Sequence, residues 1–403
     1  MRRSFFIVIS TLAAFLATCN VSTSSRTGSG ASRDGGTSAL GDEEPGEPDP
    51  SGQPRIDFIG RFDTRDPAGP ICGWPGCRIV ARFEGTSLSV RLKEVTEDWM
   101  AGGPSEWDLT IDGELHPKIV MAEGSKEYVL ATGLSRGIHV VELYKRSEAQ
   151  NGATRFLGYD LGDGKLLAPP GRLVRKIEII GDSSATGFGV EGVGHGPKCP
   201  GLNYAAKWQN FHESFGARLG VALSAEVYGT AYSGKGIVKN IWRPDKDTMP
   251  VIFPRALPTD PQSTWDFSTY VPNVVVIMIG GNDFAIGQPT DDGPANLAEF
   301  ADGYHAFVAT IRQKYPDGHL FLVTSPSVTD TQPPERRARS NVSAGIAEVV
   351  ARRTKAGDTR VFAVAPPIAA PSELTGCEGH GSPELHQRIA DDLAPIIREE
   401  TGW

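Results

Sequence analysis

The apolar residues of this chain change rhythm once, near residue 174, and that single change restricts what it can fold into. Before it, from residue 55 to residue 165, apolar side chains recur at about every second position. Examples are Arg78-Ile79-Val80-Ala81-Arg82-Phe83, Leu88-Ser89-Val90-Arg91-Leu92, Trp107-Asp108-Leu109-Thr110-Ile111 and Ile138-His139-Val140-Val141-Glu142-Leu143-Tyr144. A period of two places alternate residues on one face of a half-buried strand. Glu84-Gly85-Thr86 separates the first two segments and predicts a hairpin connection, and Asp112-Gly113 after the third predicts a tight turn. Short strands at this spacing, with no convincing helix among them, predict an all-β sandwich over residues 55–165.

Beyond residue 174 the apolar runs are continuous, at 177–180, 274–279, 320–323 and 361–364. Continuous runs fit strands buried on both faces, as in a parallel sheet covered by helices. Helical faces lie between them. Trp208, Phe211, Phe215 and Leu219 share one, and Phe300, Tyr304, Phe307, Val308 and Ile311 share another. A last helix, from about residue 386 to 399, would turn Ile389, Leu393 and Ile396 inward. Residues 174–403 therefore predict an α/β three-layer domain, joined to the sandwich by a linker, residues 166–173, that holds Pro169-Pro170-Gly171.

The first residues are laid out for export. Arg2 and Arg3 precede an apolar run, 5–16, that is too short to span a bilayer as a mature helix. Residues 1–19 read as a signal peptide whose end, Leu16-Ala17-Thr18-Cys19, has the form of a lipobox, with Cys19 lipidated. The expected location is the cell envelope, with membrane contact only through that anchor. Residues 20–54 are rich in Ser, Gly, Asp, Glu and Pro and predict a flexible tether. Five cysteines are an odd number for an exported chain, and lipidation of Cys19 leaves four. Cys72 and Cys77 bracket a tight turn and are expected to pair. Cys199 and Cys377 would then pair with each other, the alternative being two free buried thiols. The net charge of −9 argues against a nucleic-acid partner, which would require a basic face.

Chemistry concentrates at the ends of the continuous runs. Ile179-Ile180-Gly181-Asp182-Ser183 ends an apolar strand in a serine, followed by glycine-rich chain. Downstream come Ser233-Gly234-Lys235-Gly236, then Gly280-Gly281-Asn282-Asp283, then Glu378-Gly379-His380. Ester hydrolysis needs a nucleophile, a base, and donors for the oxygen that becomes negative. Ser183 is the candidate nucleophile. Its own N–H, the N–H of Gly234 and the amide of Asn282 are the candidate oxyanion donors. His380 and His386 compete as base, each with a glutamate two positions earlier. His386 opens a helix and is expected to pack, so His380 in its glycine-rich loop is favoured, with Glu378 as its orienting partner. No further His or Cys falls at ligand spacing, so neither a metal nor a cofactor is expected.

These blocks resemble the SGNH hydrolases through Ser183, Gly234, Asn282 and His380, and more closely carbohydrate esterase family 2. The family-like phrases are Trp74-Pro75-Gly76, Phe83-Glu84-Gly85-Thr86-Ser87, Lys145-Arg146-Ser147-Glu148-Ala149, Ser233-Gly234-Lys235-Gly236-Ile237, Trp265-Asp266-Phe267 and Gly280-Gly281-Asn282-Asp283-Phe284. The resemblance implies a jelly-roll sandwich ahead of an SGNH domain, and removal of acetate from sugars, usually at the 6-position in plant polysaccharides. Its expected partner is thus an acetylated oligo- or polysaccharide. Family members tend to carry Asp where Glu378 stands and Pro where Gly381 stands, and some work with a Ser-His dyad alone. Trp242 and Phe284 flank the matched blocks, and core packing is the expected role of each. Two rivals remain: a lipase or thioesterase with an apolar acyl channel, and a carbohydrate-binding surface lipoprotein with a vestigial hydrolase half.

Overall fold

Alternating apolar and polar residues give the first half of the molecule one face to bury, and it buries that face as antiparallel sheet. The computed structural model describes residues 48–95 and 102–403; the expected signal peptide, Cys19 and most of the tether lie outside them. Three short strands, β1 (Asp57–Ile59), β2 (Phe62–Asp63) and β3 (Ile71–Cys72), precede the long β4 (Arg78–Val95). Then follow β5 (Glu106–Ile111), β6 (Glu114–Val120), β7 (Ser125–Lys145), β8 (Ala153–Asp160) and β9 (Lys165–Leu167). Pairing is antiparallel in the order β2-β3-β8-β4-β7-β5-β6, with β1 and β9 also against β4. Cys72 is bonded to Cys77.

The hairpin expected at Glu84-Gly85-Thr86 does not form, because those residues run on inside β4. The register against β7 instead slips between Gly85 and Ser87. The slip reverses side-chain parity, so Ile79, Ala81 and Phe83 before it and Leu88, Val90 and Leu92 after it face one core. A bulge and a hairpin leave the same mark in the sequence: a glycine between two alternating segments. Asp112-Gly113 is a true turn, with both residues at positive φ (53° and 81°) and Ile111 paired to Glu114. The start of the described chain is tied back, with Asp49 N–H donating to Pro169 O at 2.8 Å.

The second half is a five-stranded parallel sheet: β10 (Arg175–Gly181), β11 (Ala225–Ala231), β12 (Val274–Met278), β13 (His319–Val323) and β14 (Val361–Val364). Their order is β11-β10-β12-β13-β14. Its helices are α1 (Ser183–Thr186), α2 (Phe215–Leu223), α3 (Met249–Ile252), α4 (Gly281–Phe284), α5 (Leu297–Lys314), α6 (Ala338–Lys355) and α7 (Pro383–Thr401). Alternate residues of β12 go to opposite layers. Val275 and Ile277 pack with Phe300, Phe307 and Val342 of α5 and α6; Val274 and Val276 pack with Phe215, Leu219, Ile389 and Leu393 of α2 and α7. The helix expected to run through Trp208 to Leu219 is interrupted. Two 3₁₀ turns, Ala206–Trp208 and Phe211–Glu213, come first. Ser214 then caps α2, its hydroxyl accepting from Ala217 N. In α7, Ile397 rather than Ile396 completes the buried stripe.

Strand β10 connects to β11 on one side, whereas its other neighbour, β12, connects to β13 on the opposite side. Such a topological switch point is where open α/β sheets form a crevice outside the carboxyl ends of their strands. The chain segments leaving β10, β11 and β12 carry Ser183, Gly234 and Asn282 respectively.

Candidate active site

Strand β10 stops at Gly181, and the Asp182 side chain caps α1 by accepting from Ser184 N at 3.0 Å. Ser183 is the first residue of that helix, so its N–H has no carbonyl partner within it. Ser183 Oγ lies 2.8 Å from His380 Nε2. The other ring nitrogen, Nδ1, lies 2.9 Å from the main-chain carbonyl of Cys377. A carbonyl can only accept, so Nδ1 carries the hydrogen and Nε2 presents a lone pair to the serine hydroxyl. Burial lowers the His380 pKa below its ordinary 6.5, which favours this neutral, proton-accepting form.

Glu378 does not orient this ring, contrary to the expectation. It sits in the left-handed region (φ 56°, ψ 24°), its side chain is exposed, and Oε1 accepts from Asn203 Nδ2 at 3.2 Å. The tight turn that presents the Cys377 carbonyl to the imidazole sends the next side chain to solvent. His386 is a packing residue, as expected. It is buried in the first turn of α7, its Nδ1 accepts from Phe215 N at 3.1 Å, and burial pushes its pKa down to about 3.

The loop bearing the base is fastened to the loop after the nucleophile. Cys377 is bonded to Cys199, and its N–H donates to Gly189 O at 3.1 Å. A Cβ on Gly192 would lie 2.5 Å and 2.6 Å from the two sulfurs, so only glycine fits there. Phe188 packs against the imidazole, with ring centroids 4.5 Å apart.

The two other candidate donors converge on the same crevice. Gly234 follows β11 at φ 79°, a conformation that strains any residue with a side chain. Its carbonyl accepts from Ile241 N at 2.8 Å. Asn282 sits in α4, just beyond β12. Its Nδ2 donates to Lys235 O at 2.8 Å and lies 3.3 Å from Asp182 Oδ2. That amide thus stands between the chain neighbour of Gly234 and the chain neighbour of Ser183.

Three features escaped the sequence reading. Asp283 is buried and accepts from the N–H groups of Ile237, Val238 and Lys239 at 2.9, 2.7 and 2.9 Å, which pins the segment after Gly234 to α4. Burial pushes its carboxyl up to about 6 against those three donors. Glu148, from the antiparallel half, contacts Ser233, the residue before Gly234. For both, the only signal was their place inside a matched phrase. Trp242, expected in the core, is 51% exposed beside Ile241, whereas Phe284 is buried against Phe300 as expected. Among the described residues no group of His, Cys, Asp and Glu could hold a metal ion.

Residues 58–170 match the family described as carbohydrate esterase 2 N-terminal, and residues 179–388 match the GDSL-like lipase/acylhydrolase family. The cellulase/esterase CelE of Acetivibrio thermocellus is 34% identical over 350 residues, 87% of this chain, and the chain spans 40% of that relative's length. An acetylxylan esterase / glucomannan deacetylase of Cellvibrio japonicus is 25% identical over 355 residues, covering 87% of this chain and 90% of the relative. A family two carbohydrate esterase from Clostridium thermocellum, solved with cellohexaose, has a TM-score of 0.76 and 34% identity, over 87% of this chain and 100% of that one. Matched in both halves and like that esterase over its whole length, the chain belongs to carbohydrate esterase family 2.

Proposed function

We propose that this chain is a serine esterase that removes O-acetyl groups from carbohydrates, with 6-O-acetyl sugars of plant-type polysaccharides as its substrates. One observation carries the reading: Ser183 Oγ stands 2.8 Å from an imidazole nitrogen that holds a free lone pair, at a switch-point crevice shared with Gly234 and Asn282. Ser183 Oγ attacks the acetyl carbonyl carbon as its proton passes to His380 Nε2. The carbonyl oxygen becomes an oxyanion and takes hydrogen bonds from Ser183 N–H, Gly234 N–H and the Asn282 amide, whose second hydrogen turns away from Asp182 Oδ2, 3.3 Å from it. His380 then gives the proton to the departing sugar oxygen, leaving an acetyl-serine. Water, deprotonated by His380, attacks the acetyl carbon; the bond to Ser183 Oγ breaks as His380 returns the proton to that oxygen, and acetate is released. The relative from Cellvibrio japonicus bears the name glucomannan deacetylase, and exposed Trp242 offers a sugar ring an apolar face; both support a carbohydrate substrate.

The test is release of acetate from acetylated xylan and glucomannan, with nitrophenyl esters of increasing acyl length alongside. An optimum at acetate is expected. Ser183→Ala should lower turnover by about 10³-fold or more while the melting temperature holds. Wild-type-like turnover in that variant rejects the assignment, and a preference for long acyl chains favours a lipase instead. We infer in addition that the chain is exported and lipidated at Cys19, a reading supported by its two disulfides, which persist in oxidising compartments. Radiolabelled palmitate should enter the wild-type protein in cells and not Cys19→Ala; equal labelling of both would refute lipidation.

A further inference from the structure

We infer that Glu148, which belongs to the antiparallel half, is a positioning residue for the oxyanion donors of the parallel half. The inference rests on the ester-hydrolysis reading above. Glu148 lies just past the end of β7 and has no exposed surface. Its Oε2 accepts from Ser233 N at 2.6 Å and its Oε1 from Ser233 Oγ at 2.5 Å. Gln150 Nε2 and Gln209 Nε2 donate to Oε1 as well, at 2.8 and 3.1 Å. Glu148 N–H in turn donates to Gln209 Oε1 at 3.1 Å, so the carboxylate cannot swing away.

The N–H of Gly234 belongs to the peptide that joins it to Ser233. Gripping Ser233 at both its amide and its hydroxyl therefore leaves that peptide little freedom to turn. The gripped residue also lies beside the chain at the nucleophile. Ser233 Oγ is 3.3 Å from Thr186 Oγ1, which donates to the carbonyl of Ser183 at 3.2 Å. A buried carboxylate is a costly way to fill space. Charge-assisted bonds to four converging donors are what a carboxylate supplies and an apolar side chain does not.

The charged and titratable groups facing Glu148 are Lys145 at the end of β7, Tyr232 after β11 and Asp182 at the cap of α1. Burial pushes the Glu148 carboxyl up to about 7, against the bonds from Ser233. The ionised form accepts from both Ser233 donors, and protonation turns one acceptor oxygen into a donor. The grip is thus complete above that pH and weakens as the pH falls through it.

The experiment measures kcat and KM against pH for the wild type, Glu148→Gln, Ser233→Ala and Ser183→Ala, on nitrophenyl acetate and an acetylated oligosaccharide. Glu148→Gln keeps the shape but cannot accept from both Ser233 donors. Its kcat should fall about 10- to 100-fold, less than the loss of a whole oxyanion donor. Its KM should stay within about threefold, since the bond matters in the transition state. The wild-type kcat profile should bend near pH 7, and Glu148→Gln should lack that bend while keeping the lower limb that belongs to His380. Ser233→Ala, which retains the backbone N–H, should fall between the two. A kcat for Glu148→Gln equal to wild type overturns the inference. So does a bend near pH 7 that survives in it, which would belong to Asp182. Should Glu148→Gln fail to fold, Ser233→Ala decides, and an unchanged kcat there overturns it. An inactive wild type would sink the esterase reading and this inference together, whereas an active wild type with an unimpaired Glu148→Gln sinks only this one.

Discussion

A glutamate two residues before a catalytic-type histidine invites a triad, and the contacts of Glu378 argue otherwise. Its carboxylate meets Asn203 and solvent, and the imidazole hydrogen is already committed to the Cys377 carbonyl. Glu378→Ala should therefore keep kcat within about threefold, whereas His380→Ala should lose about 10³-fold or more. Parallel assays of acetate release check this, and comparable losses in the two variants would restore Glu378 as the orienting group. Residues at strand ends were legible: Ser183 and Asn282 each follow an apolar run, whereas Gly234 stood out only by its glycine-rich phrase, and the sheet brings the three together because open α/β sheets work at those ends. Glu378 was misread because a backbone in the left-handed region reverses the direction in which a side chain leaves. Glu148 stood inside a family-like phrase, but nothing in the sequence showed its role. Its partner Ser233 is 85 positions away, and no periodicity marks such a contact.

Among the elements, the segment from Gly189 to Cys199 and the segment from Cys377 to His380 behave as one unit. A disulfide and a main-chain bond join them, and Phe188 rests on the imidazole. Cys199→Ser should loosen the Cys377 carbonyl without touching any reacting atom. We expect kcat to fall about tenfold or more, KM to change less, and the circular dichroism spectrum to stay native. Full activity in the folded variant would show that the loop holds its shape unaided. Elements defined by continuous apolar runs were read from sequence, namely β10, β12, β13 and β14, whereas β11, whose Ala225–Ala231 mixes Glu226, Gly229 and Thr230 among its apolar residues, was not. The boundaries that failed have local causes. Gly85 serves a bulge rather than a turn, and Asn210 and Ser214 each cap a new turn where a hydrophobic stripe suggested one helix.

At the scale of the whole molecule, both halves contribute to a common interior. Trp74 and Phe83 share a hydrophobic cluster with Phe253 and Phe307, and Arg61 crosses over to pair with Glu178 of β10 at 2.6 Å, both side chains 1% exposed. Glu178 also accepts from Thr230 Oγ1 at 2.6 Å. Arg61→Met would leave the carboxylate buried without its counter-charge, so urea unfolding should show a loss of about 3–5 kcal/mol. Arg61→Met combined with Glu178→Met should recover most of that loss. A single variant as stable as wild type would mean that water reaches the pair. The order of the two halves was visible in the change of rhythm near residue 174, but their joining was not, because a pair 117 positions apart leaves no trace in local pattern.

The acceptor behind the imidazole is a piece of polypeptide backbone, and no point substitution deletes a carbonyl. A saturation screen for lost turnover would accordingly report the hydroxyl, the imidazole and the groups that serve the oxyanion, with an empty place where other hydrolases reveal an acid behind the base. Evolution faces the same restriction. It can re-aim this base by bending the path of the main chain around Cys377, or by bringing a carboxylate into hydrogen-bond reach of the ring.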